Sequence, residues 1–214
     1  MNPQFLEAIA SNFEDVNTFR NFGSLYPLKT LDQRKFLYIE TERSKRRLIF
    51  IDEVMVEVEH DWRNGKSELF YKNGHPHGVA TTWHANGKMS SRGKYDHAVR
   101  EGLWEYWHDN GVKSVERNYS QGRGNGHYIS FYDNGEPEEE GNYVDGVQMG
   151  LWKGWHINGE KHYIGRYDEH GPTGLWTYWT ADGQIASEGL YRSGIPVGRW
   201  KYRGDNDVIE EISY

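Results

Sequence analysis

From Gly78 to Tyr214 the chain repeats one pattern of large apolar, small and polar positions every 24 residues, without slipping once. The repeats start at Gly78, Gly102, Gly126, Gly150, Gly174 and Gly198. With each start numbered position 1, position 3 is Trp104, Tyr128, Trp152, Trp176 and Trp200, with Ala80 the exception. Position 18 is Tyr95, Tyr119, Tyr143, Tyr167 and Tyr191. Positions 9 and 10 hold Asn86-Gly87, Asn110-Gly111, Asn134-Gly135, Asn158-Gly159 and Asp182-Gly183. Asn-Gly or Asp-Gly between alternating apolar residues signals a β-hairpin, because a two-residue type I′ turn needs positive φ at both central residues. Each repeat is therefore expected to be one hairpin.

That turn implies a register. Position 8 faces 11 and, outward along the ladder, 3 faces 16 and 1 faces 18. Position 16 is Gly93, Gly141, Gly165 and Gly189, with Arg117 the exception. Each indole is thus expected across from a glycine and each position 18 tyrosine across from another, a pairing in which a ring compensates a strand glycine for its missing side chain. A four-residue connection at positions 20 to 23 repeats this toward the next hairpin, with 18 facing the next position 1 and 16 the next position 3. Side chains alternate between faces, so one face carries rings and glycines. The position 6 rings Trp83, Trp107, Phe131, Trp155 and Trp179 turn to the other face, opposite position 13. The expected fold class is mainly β: an elongated antiparallel hairpin-repeat solenoid, a single twisted sheet in which each repeat contacts its neighbours.

Upstream, residues 54–74 read as a degenerate repeat. Aligning Asn64-Gly65 with the other turns places Val56 and Val58 at positions 1 and 3, and Tyr71 precedes Gly78 by seven residues, as Tyr95 precedes Gly102. The second strand is then two residues short, which leaves every side chain on its face. The organisation expected is a repeat domain over 54–214 behind an N-terminal cap over 1–53. In the cap, Leu6, Ile9, Ala10 and Phe13 at helical spacing, behind Asn2 and Pro3, predict a short amphipathic helix that covers the open end of the sheet. Residues 17–30 read as a loop, and 35–41 with 47–51 as an irregular hairpin whose charged tip is 42–46. At the far end Arg203 replaces the position 6 ring, and Tyr214 falls one residue short of position 18.

Composition supports a thin sheet. Only 36% of the 214 residues are hydrophobic, but 15% are aromatic and 25 are glycine. A buried Trp or Tyr removes roughly 150–250 Å² from water, so rings replace an aliphatic core. Cysteine is absent, which excludes disulfides and thiolate chemistry. The net charge of -7 disfavours capture of nucleic acid or anionic lipid. No export signal and no stretch suited to stable membrane insertion is read, so the expected location is cytoplasmic.

Catalytic and metal chemistry find little support in the sequence. His84, His108 and His156 share position 7, but equivalent positions lie two strands apart, about 9.5 Å. That is too far for one zinc ion, which sits about 2 Å from each imidazole. His75 and His77 flank Pro76 with no acidic or Cys partner at metal spacing. No Gly-Lys-Ser/Thr loop or nucleophile elbow is present, and a single-layer sheet lacks the cleft a catalytic carboxylate pair needs. No catalysis, cofactor or metal is expected. What remains is binding, through the position 6 rings and an acidic group, Glu136, Glu138, Glu139, Glu140 and Asp145, suited to a basic protein surface.

The repeated G-x-W-x-x-W-x-x-N-G followed by G-x-Y-x-x-G, clearest from Gly102 to Gly111, Gly150 to Gly159 and Gly174 to Gly183, resembles the MORN repeat. It is most similar to the bacterial variant found in proteins described as antitoxin-like components of toxin-antitoxin systems. The resemblance extends from about Val54 onward. It implies a non-catalytic repeat scaffold that binds a protein, a toxin or effector, and neutralises it as an antitoxin or immunity protein. Two other functions are compatible with such hairpins: carbohydrate or cell-wall binding, since choline-binding modules also use tandem aromatic and glycine hairpins, and membrane organisation as proposed for some MORN proteins, through the basic residues 43–47.

Overall fold

The computed structural model describes residues 29–31, 34–40, 44–51, 54–62, 65–72, 75–204 and 208–214. All regular structure among the described residues is β-strand. The expected helix over 3–15 and most of the expected 17–30 loop lie outside them. Two compact units divide between Glu101 and Gly102, inside the strand β8 (Val99–Trp107).

The first unit is an antiparallel meander of β1 (Lys29–Leu31), β2 (Arg34–Glu40), β3 (Ser44–Ile51), β4 (Val54–Trp62), β5 (Gly65–Lys72), β6 (His75–His84) and β7 (Met89–Asp96). Thr30, expected in a loop, faces Lys35 on β2. The irregular hairpin has a shorter tip than expected: Glu40 faces Lys45 and Ile39 faces Arg46, so Lys45, Arg46 and Arg47 are strand residues. Ladder hydrogen bonds win over the local signal of charge at that point. Across residues 53 and 54, β3 pairs directly with β4. The degenerate repeat has the expected shortening, since Val58 faces Leu69 where a full repeat pairs position 3 with 16, and Tyr71 faces Pro76.

The second unit continues in the same manner from β8 through β9 (Lys113–Ser120), β10 (Arg123–Phe131), β11 (Pro137–Val144), β12 (Val147–Trp155), β13 (Lys161–Asp168), β14 (Gly171–Trp179), β15 (Ile185–Arg192), β16 (Ile195–Arg203) and β17 (Ile209–Ser213). Within each full hairpin the derived register holds at the outer rungs. Gly150 faces Tyr167 and Trp152 faces Gly165; Gly174 faces Tyr191 and Trp176 faces Gly189.

The turn that produces this register is not the expected one. At Asn158-Gly159 the Gly159 amide donates to the His156 carbonyl (2.8 Å), and the His156 amide donates to Glu160 (2.8 Å). Only the glycine has positive φ, 83°. This is a three-residue loop, a type I turn closed by a glycine bulge, so position 7 faces 11 and not 8. The one-residue discrepancy is removed by a second bulge. Trp155 faces Lys161 while Gly154 faces Tyr163, leaving His162 at position 13 as the extra residue. The same skip occurs at Ser114, Glu138 and Ala186. Position 6 therefore lies opposite position 12, which corrects the expected pairing with 13. In the last hairpin Trp200 faces Ile212 with no such bulge, and the Tyr214 amide donates to the Gly198 carbonyl (2.9 Å). Tyr214 thus takes the place of a position 18 tyrosine one residue early.

The type I′ geometry occurs at the opposite ends of the hairpins. Asp145 and Gly146 have φ of 50° and 89°, and Gln121-Gly122 and Ser193-Gly194 match them. This two-residue connection replaces the expected four-residue loop, so Tyr143 faces Gln148, not the next position 1; the connection Glu169-His170, with neither residue at positive φ, is equally short, and Tyr167 faces Pro172. Between these rungs and the next pair, Glu140 with Lys153, the register shifts over Gly150, whose φ of 74° suits a bulge that few side-chain-bearing residues accept.

The core of this unit is a row of indoles. Trp152 is fully buried, and Trp104, Trp176 and Trp200 are 3% exposed. Each of the last three hairpins presses its Trp flat on the glycine of the hairpin before. A Cβ on Gly141, Gly165 or Gly189 would stand 2.1–2.2 Å from ring atoms of Trp152, Trp176 or Trp200. Tyrosines close the flanks edge-on: Trp152 meets Tyr143 at 5.2 Å and Tyr167 at 6.0 Å, near perpendicular in both cases. These are favourable aromatic geometries, and they seal a ring that has no second sheet above it.

Candidate protein interface

Strand alternation places positions 2, 4, 6, 15 and 17 on the face opposite the indole row. Salt bridges confirm the grouping around the second repeat. Lys113 at position 12 reaches Glu105 at position 4 (2.7 Å) and Glu116 at position 15 (2.5 Å), and its ammonium lies 5.9 Å from the centre of the Trp107 ring. Hydrogen bonding to Glu105, then to Glu116, raises the Lys113 pKa above the ordinary lysine value. Lys161 stands over Trp179 of the following hairpin, at 5.8 Å.

The five position 6 rings Trp83, Trp107, Phe131, Trp155 and Trp179 are half-buried, neither sealed nor open. For Phe131, Trp155 and Trp179 the backbone is tied to the preceding hairpin. His108 Nε2 is 2.8 Å from the Phe131 carbonyl, Tyr132 donates its hydroxyl to the Trp155 carbonyl (2.8 Å), and His156 Nε2 is 2.8 Å from the Trp179 carbonyl. Beside them Asn110, Asn134 and Asn158 donate to the position 8 carbonyls Asp133, Ile157 and Ala181. The same asparagines accept from the amide two residues on, as Asn134 does from Glu136 (3.0 Å). Position 7 thus carries a structural hydrogen-bond ladder. The regular recurrence of His and Asn at positions 7 and 9 was visible in the sequence, but the three-residue turn that aims them at the next hairpin was not.

On the same face, separated from the rings by the position 4 rung, lie exposed aliphatic residues. Leu175 faces Leu190, and Leu190 faces Val197, so three apolar side chains stand abreast on β14, β15 and β16. Leu175 is 55% and Leu190 48% exposed. Leu103 and Leu151, at position 2 of other hairpins, are exposed as well. The signal was a leucine at position 2 in three repeats, masked by the stronger Trp and Gly pattern.

The acidic group does not assemble into one site. Glu139, at position 14, is on the indole face, where it accepts a hydrogen bond from the Tyr163 hydroxyl. Burial, then that bond, pushes the Tyr163 pKa far above the ordinary tyrosine value. Glu140 is on the opposite face near His127 (3.2 Å) and Lys153 (3.9 Å). Glu138 is the bulge residue, exposed, and Asp145 is in the type I′ turn at the other end of the hairpin. Alternation and the bulge separate residues that are neighbours in sequence.

Arg117, the exception at position 16, lies on the indole face among three tyrosines. Its guanidinium carbon is 4.3 Å from the Tyr143 ring centre, 5.3 Å from Tyr119 and 6.0 Å from Tyr128. In the first unit, His77 is also not as expected from sequence. Asp96 and His97, nineteen and twenty residues on, come beside it, and donor atoms of the three lie within 4.8 Å of one another.

A 24-residue hairpin with a glycine-closed tip, a buried position 3 ring and a tyrosine at 18 invites comparison with known repeats. Residues 76–97, 100–121, 125–145 and 172–193 match the MORN repeat variant. Each matched segment is one hairpin with its Asn-Gly or Asp-Gly tip in the middle. The hairpin of β12 and β13, between the third and fourth matches to the MORN repeat variant, has the same register. Among curated proteins none matches. Two crystal structures of TarM are similar at a TM-score of 0.31, one of them a mutant of the S. aureus protein in complex with fondaparinux, α-GlcNAc-glycerol and UDP. Identity is 11% and 10% over 68% of this chain, which spans 26% and 27% of the TarM chains.

Proposed function

We propose that this chain is a non-catalytic protein-binding scaffold of MORN-type hairpins, and that its partner is a toxic effector which it neutralises as an antitoxin or immunity protein. The carrying observation is the face opposite the indole row in the second unit. A folded sheet gains nothing by leaving Leu175 and Leu190 about half exposed, and contiguous exposed apolar surface marks interaction sites. On the same face, beyond the position 4 rung, run the half-buried rings Trp107, Phe131, Trp155 and Trp179, the residue types that anchor protein interfaces. The backbone of Phe131, Trp155 and Trp179 is tied by the position 7 bonds, so this part of the surface is ordered before a partner arrives, which lowers the ordering cost of binding. Glu105, Lys153 and Glu140 carry charge on the rung between the leucines and the rings, and Lys113 stands over Trp107, so the face offers paired charges among its apolar residues. The antitoxin reading adds a partner class, on the strength of the sequence resemblance to antitoxin-like repeat proteins.

Non-catalysis is part of the proposal. His108 and His156 spend a ring nitrogen on backbone carbonyls, and Glu139 and Glu140 lie on opposite faces with Glu138 at the bulge, so these carboxylates do not converge on a reacting atom.

The test is co-expression with the product of an adjacent reading frame, followed by co-purification and a growth assay. The wild-type chain should form a stable complex and rescue growth. The double variant L175E/L190E, altered at exposed positions, should fold normally and lose at least tenfold in affinity. A wild-type chain that neither binds nor protects would remove the antitoxin reading, and unchanged affinity in the double variant would move the interface to another surface.

A further inference from the structure

We infer that His77, Asp96 and His97 form an open site for a divalent transition-metal ion of the zinc class. His77 belongs to β6 and Asp96 to β7, one rung beyond the facing pair Gly78 and Tyr95. His97 is the first residue of the turn that follows. Asp96 Oδ1 lies 3.2 Å from His77 Nδ1 and 2.7 Å from His97 Nδ1. The two imidazoles meet edge-on with centres 5.4 Å apart.

These separations suit a shared ion. Ligands about 2.0–2.1 Å from a tetrahedral zinc stand roughly 3.3 Å from one another. The His77 to Asp96 distance already has that value, and the His97 to Asp96 distance needs an opening of about half an ångström. His77 Nδ1 is itself buried and, although near the carboxylate, makes no hydrogen bond. Asp96 Oδ1 is engaged by His97 instead. A ring nitrogen held out of water, without a hydrogen bond, and 3.2 Å from a carboxylate oxygen is a ligand atom placed for a shared cation once it is deprotonated.

The turn that presents His97 is the second observation. Three other type I′ turns have glycine as their second central residue, Gly122, Gly146 and Gly194; here it is Ala98, at φ 67°, following His97 at φ 48°. Both central residues carry side chains in the left-handed region, which costs energy and persists only when the surroundings hold it. The Ala98 amide donates to the Pro76 carbonyl (2.7 Å), fastening this turn to the residue before His77. The fastening sets the two histidines on one side of the strand pair with Asp96 between them. Asp96 and His97 are exposed, so the remaining coordination positions open to solvent. Two imidazoles and one carboxylate favour zinc, nickel, cobalt or copper over magnesium or calcium, which prefer all-oxygen sets.

Titration of the full chain with zinc sulfate by calorimetry tests this. One ion should bind per chain at this site, and D96N and H97A should each weaken it at least tenfold, while H170A, which removes another exposed histidine beside a carboxylate, should leave it unchanged. Circular dichroism of the variants separates lost ligation from lost folding. Cobalt(II) should give visible absorption in the wild type that H97A diminishes. Absence of saturable binding in the wild type, or affinities within twofold of it in both D96N and H97A, would overturn the assignment.

Discussion

Two kinds of junction join successive hairpins in the second unit. At three of them a glycine at position 16 is covered by the indole of the next hairpin: Gly141 by Trp152, Gly165 by Trp176 and Gly189 by Trp200. At the fourth, Arg117 occupies position 16, the next ring is Tyr128, and the bare backbone moves to Gly124, where a Cβ would stand 2.5 Å from the Arg117 guanidinium. Bulk and its absence are conserved as a sum across the junction even where their places are exchanged. A position 3 residue is therefore chosen with the preceding hairpin's position 16, and stability in this unit is a matter of nearest-neighbour interfaces.

The comparison is tested most severely at its most buried member. Trp152→Ala removes a fully buried ring that touches Tyr128, Tyr143 and Tyr167, and should cost about 3–5 kcal/mol, measured by urea unfolding. A loss below about 1 kcal/mol would mean that the indole row is not the core. Gly165→Ala comes next, at about 2–3 kcal/mol, because its methyl would stand 2.1 Å from atoms of the buried Trp176 ring and force it off the sheet. In Trp176→Ala the same glycine substitution should become nearly neutral. Additivity of the two changes would refute their contact.

At the exceptional junction the expectation reverses. Arg117→Gly supplies the residue found at the other three, yet it should destabilise by about 1–2 kcal/mol, since the cation loses its tyrosine neighbours and Tyr128 is too small to fill the space. Adding Tyr128→Trp to that variant should recover at least half the loss. If Tyr128→Trp is equally tolerated with Arg117 in place, positions 16 and 3 are not coupled.

Much of this architecture could be read from the sequence, for a reason that also marks where the reading fails. The facing pairs Gly150 with Tyr167 and Trp152 with Gly165 follow from alternation and a fixed period, because ring and glycine are each strongly constrained. The turn type did not follow. Asn-Gly suits both a two-residue and a three-residue loop, and an unremarked residue such as His162 absorbs the difference, so the outer register is right while the inner one is off by one. The Leu175, Leu190 and Val197 row needs the register across two hairpins, and the proximity of His77 to Asp96 and His97 needs the pairing of β6 with β7. Chemistry assembled across strands is the part that periodicity along one strand does not show.

The smallest effect separates the tip ladder from the indole row as sources of order. Asn134 accepts from the Glu136 amide within its own turn and donates to Ile157 in the next hairpin (2.9 Å). Both bonds are at the exposed tip, where water competes, so Asn134→Ala should cost about 1 kcal/mol. Asn134→Asp keeps the acceptor and removes the donor. If the ladder orders neighbouring tips, both variants should speed amide exchange around Ile157, whereas Asn134→Asp alone should preserve protection at Glu136. Exchange at Ile157 unchanged in both would confine the role of Asn134 to its own turn, leaving the stacked indoles as what couples one hairpin to the next.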